Sequence, residues 1–128
     1  MCRMLLSINP EHVENILRGT KQFEFRKVRC RMEISKIIIY ATAPQQEVVA
    51  EVDIAEIIEG KPSIVWEQTK ASAGISYRFF RSYYKGKKKA VAYRLQNVET
   101  YEQPRKLSDY GIKTPPQSFV YLGAIATL

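Results

Sequence analysis

Lys36-Ile37-Ile38-Ile39-Tyr40-Ala41-Thr42 is the stretch on which the fold turns. A strand with one wet face alternates apolar and polar residues. This one is apolar almost throughout, which predicts a strand covered on both faces. Upstream, Met4 to Ile8 reads as a first strand. Asn9 suits the cap of the next helix, Pro10 its first position and Glu11 its positive end. Val13, Ile16 and Leu17 form that helix's apolar stripe, and Gly19 supplies a left-handed stop. Lys21 to Val28 alternates, with Phe23 and Phe25 on one face and Gln22, Glu24 and Arg26 on the other. Cys30 to Ser35 is a connection.

Downstream, Pro44 ends the central strand. Glu47 to Ile58 forms a long strand whose alternation slips near Glu56, so a bulge is expected there. Ser63 caps a helix carrying Ile64, Val65 and Trp66, which stops at Gly74. Ser76 caps another, with Phe79, Phe80 and Tyr83 inward, which stops at Gly86. Lys89 to Val98 and Gln117 to Leu122 are strands, joined by a long connection from Tyr101 to Pro116. Helices are few and do not alternate regularly with strands. The expected class is α+β: a mixed, curved sheet closing into a small barrel with flanking helices. Residues 1–128 read as one domain with no internal repeat.

At 128 residues and 45% hydrophobic content, the chain buries roughly two-thirds of its unfolded surface without staples. No apolar run spans a bilayer, and the start carries no secretory signal, so no membrane partner and a cytoplasmic location are expected. Cys2 and Cys30 lack ligand spacing and read as free thiols. His12, the one histidine, reads as an ordinary first-turn residue. No metal and no cofactor are expected, and no oligomeric state is fixed.

The net charge is +7, and it is unevenly spread. Arg18 to Lys36 holds seven basic and two acidic residues, and Lys70 to Arg94 holds eight basic and none acidic. Glu47, Glu51, Asp53, Glu56, Glu59 and Glu67 lie between. This predicts one basic and one acidic face, the basic one suited to polyanions. Its alternative use is to dock an acidic protein as a regulatory module.

The most specific local pattern is Gly19-Thr20-Lys21-Gln22-Phe23-Glu24-Phe25-Arg26. A helix ends, the chain turns sharply, and Lys21 sits at the corner. Glu24 and Arg26 share a strand face, where an ionised Glu orients the cations around it. The corner suits a phosphate or the polar edge of a base. The same residues also fit a solvated salt-bridge ladder.

Gly-x-Lys-x-x-Glu-x-Arg resembles the hallmark of ASCH domains, small PUA-like β-barrels, and stands where that family has it. The resemblance extends to the Ile37–Thr42 strand, the insert with Trp66 and Gly74-Ile75-Ser76, and Pro115-Pro116-Gln117-Ser118-Phe119. It implies a PUA-like mixed β-barrel with a cleft beside the motif, and an RNA-related role: a modified-nucleotide reader or a metal-independent ribonuclease. For cleavage, the resemblance implies Tyr, Lys and Ser, which fall here on Tyr40, Lys21 and Ser118. Lys21 would stabilise charge on phosphoryl oxygens, Tyr40 or Glu24 would move a proton, and Ser118 would hold a phosphate oxygen or ribose hydroxyl. Tyr40 reads equally as a core tyrosine and Ser118 as a strand-start hydroxyl. A second activity of similar domains is amide hydrolysis of N4-acetylcytidine by a lysine, a threonine three residues on and a distal glutamate. Lys21 matches, but Glu24 holds the threonine position, and the distal acid would fall at Ala73-Gly74, where there is none.

RNA is the expected partner, single-stranded or as a nucleotide-containing ligand. Lys21, Arg26, Lys27 and the turn Lys87-Lys88-Lys89 are the candidate phosphate contacts. Trp66 is the candidate stacking platform, or else a core residue.

Overall fold

The computed structural model describes residues 2–122. Among these, six strands form one sheet: β1 (Cys2–Ile8), β2 (Phe23–Arg26), β3 (Ile34–Ala41), β4 (Glu47–Gly60), β5 (Ala90–Arg105) and β6 (Phe119–Leu122). Helix α1 (Pro10–Arg18) follows β1, while α2 (Pro62–Thr69) and α3 (Tyr77–Tyr83) lie between β4 and β5. The spatial order is β2-β5-β4-β3-β1-β6. Only the β1–β3 pair is parallel. The sheet curls into a half-barrel, the expected mixed α+β, PUA-like architecture.

Strand β3 is covered on both faces, as its composition requires. Ile37, Ile39 and Ala41 join the cluster that holds α1 through Val13 and Ile16. Ile38 and Tyr40 point the other way, into a cluster with Leu5, Val48, Tyr101 and Leu122. A third cluster joins Phe23 and Phe25 of β2 to Val65, Phe80 and Tyr84 under α2 and α3. The bulge expected near Glu56 is a register shift between Ile54 and Glu56, one of three along the β4–β5 pair.

Several boundaries differ from the sequence reading. Strand β5 does not end at Val98 but runs to Arg105, because β4 offers it a partner along its length, as far as Val48 opposite Arg105. Helix α2 is capped at Lys61, not Ser63, since Pro62 at its first position already fixes the entry dihedral. In α3 the buried residue is Phe80, joined by Tyr84 just past the helix end, while Phe79 is 46% exposed. The helix is short and packs through one aromatic edge, with Phe80 against Phe25 at 5.3 Å between ring centres.

Ser76 caps α3 as expected, accepting a hydrogen bond from the Phe79 amide at 3.0 Å. Ser76→Ala is expected to cost about 1 kcal/mol of stability, read as a lower urea midpoint, and Ser76→Asp to restore it.

The acidic residues of β4 do not make a separate acidic face. Its position between β3 and β5 sets them beside bases, where cross-strand pairs form. Lys36 Nζ lies 2.9 Å from Glu51 and 2.8 Å from Asp53. Arg94 meets Glu56 at 2.6 Å, and Glu59 sits between Arg29 at 3.3 Å and Lys89 at 3.9 Å.

Candidate nucleic-acid cleft

β2 and β6 are the first and last strands of the sheet, and Arg26 bridges the seam near them. Its Nε donates to Glu24 Oε2 at 3.0 Å, its Nη1 to Ser118 Oγ at 3.2 Å and its Nη2 to the Ser7 carbonyl at 3.0 Å. Ser7 returns the tie, with its amide donating to the Ser118 carbonyl at 3.0 Å and its hydroxyl to Pro116 O at 2.7 Å. The Tyr84 hydroxyl donates to the carbonyl of Arg26 at 2.8 Å, which fixes the backbone behind the guanidinium.

Lys21 is buried, 3% exposed. The chain folds the motif back on α1, since the amides of Thr20 and Lys21 both donate to Asn15 O. The Lys21 ammonium donates to the Ala73 carbonyl at 3.2 Å and lies 4.8 Å from the centre of the Phe25 ring. Burial holds its pKa below the ordinary lysine value; Glu24 opposes that shift and Arg26 adds to it. Gly74 lies flat against Lys21, so the Ala73-Gly74 pair does sit beside the lysine, with no carboxylate of its own.

Around Lys21, Glu24 and Arg26 opens a cleft of about 290 Å³. Ser7, Asn9, His12, Ile75, Phe79 and Tyr83 complete its lining. The His12 ring meets Phe79 edge-on, 5.3 Å between centres. Phe79 and Tyr83, one turn apart on α3, are nearly parallel at 10° and 6.5 Å. The arrangement offers aromatic faces at the rim and charge at the floor. Such a site stacks a planar ring and orients a polar group beneath it. Burial raises the Tyr83 hydroxyl above its ordinary pKa, so it stays protonated at neutral pH.

The structure brings Lys21, Glu24 and Arg26 together and sets Ser118 beside them through Arg26. Lys27 extends the rim, its ammonium 4.7 Å from the centre of the Tyr83 ring. Tyr40 is elsewhere. It is 2% exposed and packs in the cluster beneath the 107–112 segment, because alternation along β3 turns it away from the α1 side. Trp66 also stands outside the cleft. It packs on Phe80 at 4.9 Å and lines a shallow groove with Ser63, Glu67 and Tyr77. Lys87, Lys88 and Lys89 are exposed on the turn before β5, and Lys89 already faces Glu59. Among the described residues, no three His, Cys, Asp or Glu side chains cluster as metal ligands would. No helix among them is long and apolar enough to cross a membrane.

Sequence reasoning missed His12, Phe79 and Tyr83. Phe79 and Tyr83 fit an apolar stripe, and nothing in helical spacing tells a core stripe from a cleft wall. His12 stands near Lys21 only because the corner folds back on α1.

A family described as "Domain of unknown function (DUF365)" matches residues 7–112. An ASCH domain-containing ribonuclease of Zymomonas mobilis is 29% identical over 126 residues, covering 92% of this chain and 82% of that protein. The crystal structure of ASCH from Zymomonas mobilis superposes with a TM-score of 0.85 at 28% identity, over 95% of this chain and 88% of that one. Two Ureaplasma parvum proteins, named ATP synthase subunit alpha and large ribosomal subunit protein uL22, are 28% identical over 93% of the chain. The chain spans only 15% and 39% of their lengths. The chain therefore belongs to the DUF365 family, and its sequence and architecture are similar to those of ASCH domains.

Proposed function

We propose that this domain binds single-stranded RNA in the seam cleft and cuts it without a metal ion. The observation that carries this is Lys21, 3% exposed, on the floor of a cleft walled by Phe79 and Tyr83. An unstacked base lies on the aromatic wall. Its phosphate reaches the floor, where low dielectric strengthens the attraction of the ammonium for charge developing on the phosphoryl oxygens. Arg26 holds Glu24 and Ser118 in place, and Ser118 presents its hydroxyl to a phosphate oxygen or ribose hydroxyl. Lys27 on the rim, with Lys87 and Lys88 farther out, neutralises flanking phosphates. The ribonuclease name of the Zymomonas relative supports the same reading.

The test is a gel shift and a cleavage gel on labelled single-stranded RNA with EDTA present. Wild type is expected to shift and cut the RNA at low salt. Lys21→Ala is expected to lose cutting by about two orders of magnitude. No shift at low salt would sink the RNA assignment and leave a protein-docking module. A shift without cutting would leave a reader.

A further inference from the structure

His12 is a polar side chain in the cleft that the fold leaves uncommitted. Each nitrogen of Arg26 has a protein acceptor, Glu24 receives Arg26, and Lys21 donates to Ala73. The Nδ1 of His12 is enclosed and has no partner; among the described residues it is the one buried side-chain polar atom so placed. An orphaned polar atom of this kind costs free energy that a hydrogen bond from a ligand recovers. The ring is held by the edge of Phe79, not by a hydrogen bond, so rotation about its Cβ–Cγ bond can bring a nitrogen to the ligand.

RNA cleavage without a metal requires a base for the ribose 2′-hydroxyl. Tyr40 is buried on the far face and Glu24 is tied to Arg26. We propose that His12 is the catalytic base of the cleft, a role that rests on the ribonuclease reading above. The 2′-oxygen attacks phosphorus and gives its proton to the imidazole. The O2′–P bond forms and the P–O5′ bond breaks. The departing 5′-oxygen takes a proton from solvent, leaving a 2′,3′-cyclic phosphate and a 5′-hydroxyl. Lys21 offsets the charge on the phosphoryl oxygens.

The groups facing His12 are Glu11 on its own helix, Lys21 at the corner, Glu24 and Arg26 on β2, and Tyr83 on α3. Burial, and then Lys21, hold the imidazole below its ordinary value of 6.5, with Glu24 and Glu11 opposing. The base is therefore neutral and ready at pH 7.

The experiment compares wild type, His12→Ala and His12→Gln on one oligoribonucleotide, with EDTA, across pH. Wild type is expected to release a cyclic phosphate, with a rate that climbs with pH through a step below 6.5. Both variants are expected to cut about 100-fold more slowly, a loss much larger than any weakening of their gel shift. The step should vanish in His12→Gln, and added imidazole should speed His12→Ala. Far-UV circular dichroism checks that α1 persists. A variant that cuts as fast as wild type overturns the role of His12 and leaves the ribonuclease reading standing. A wild type that binds RNA but never cuts it overturns both.

Discussion

Gly74→Ala is expected to unfold the domain about 10 °C earlier than wild type, a loss of roughly 3 kcal/mol. Two costs add. Gly74 sits at φ +71°, in the left-handed region where a side chain is strained. A methyl group there would also lie 2.3 Å from Lys21 Cβ and 2.6 Å from its Cα and Cγ. Part of that contact is backbone, so the corner itself would have to move. The Lys21 ammonium would then lose Ala73 O and its place in the cleft. Gly86 is the control, since it has a similar φ of +77° but nothing within 4 Å of an added Cβ. Gly86→Ala should show only the strain term, about 1 kcal/mol. Thermal unfolding followed by circular dichroism reads both, and equal melting points for the two variants would refute the contact.

Arg26→Ala is expected to cost about 3–5 kcal/mol, because it breaks a mostly buried ion pair from one side. The side chains of Arg26 and Glu24 are 15% and 8% exposed, so little solvent reaches the carboxylate once its partner is gone. The same substitution removes the donors to Ser118 and the Ser7 carbonyl, which hold the seam between β2 and the far side of the sheet. Arg26→Lys should recover only part of the loss, since one ammonium cannot reproduce three donors in a planar fork. Chemical denaturation measures the stability. Hydrogen exchange at the β2 amides, expected to accelerate more than at β3, separates an opened seam from general weakening. Equal acceleration in both strands would count against the seam.

Much of the frame was legible along the chain. The Ile37–Ala41 run announced a doubly covered strand because two faces of apolar side chains leave no other economical arrangement. Gly19 announced the helix stop, Ser76 a cap and the slip near Glu56 a bulge, each a local effect of backbone geometry. The Glu24 and Arg26 pair was legible for the same reason, since strand alternation places residues two apart on one side, and Gly19 marked the corner that holds Lys21. The length of β5 was not, because Tyr101 to Arg105 is extended only where β4 pairs with it. Charge in sequence also misled. The acids of β4 look segregated until the sheet sets Lys36, Arg94 and Arg29 against them.

The sequence by itself determined the α+β class and the corner motif, because these rest on periodicity and on residues within a few positions of one another. Only the tertiary structure decided the membership of the cleft. It placed Tyr40 in the core, packed Trp66 against Phe80 outside the cleft, and set Phe79 and Tyr83 along the cleft lining. It also closed Arg26 onto Ser118, 92 residues away, and folded the corner so that His12 and Lys21 share one cavity. Those juxtapositions depend on how the sheet curls and where α3 docks, which are set by packing across the whole domain and leave no trace in local spacing.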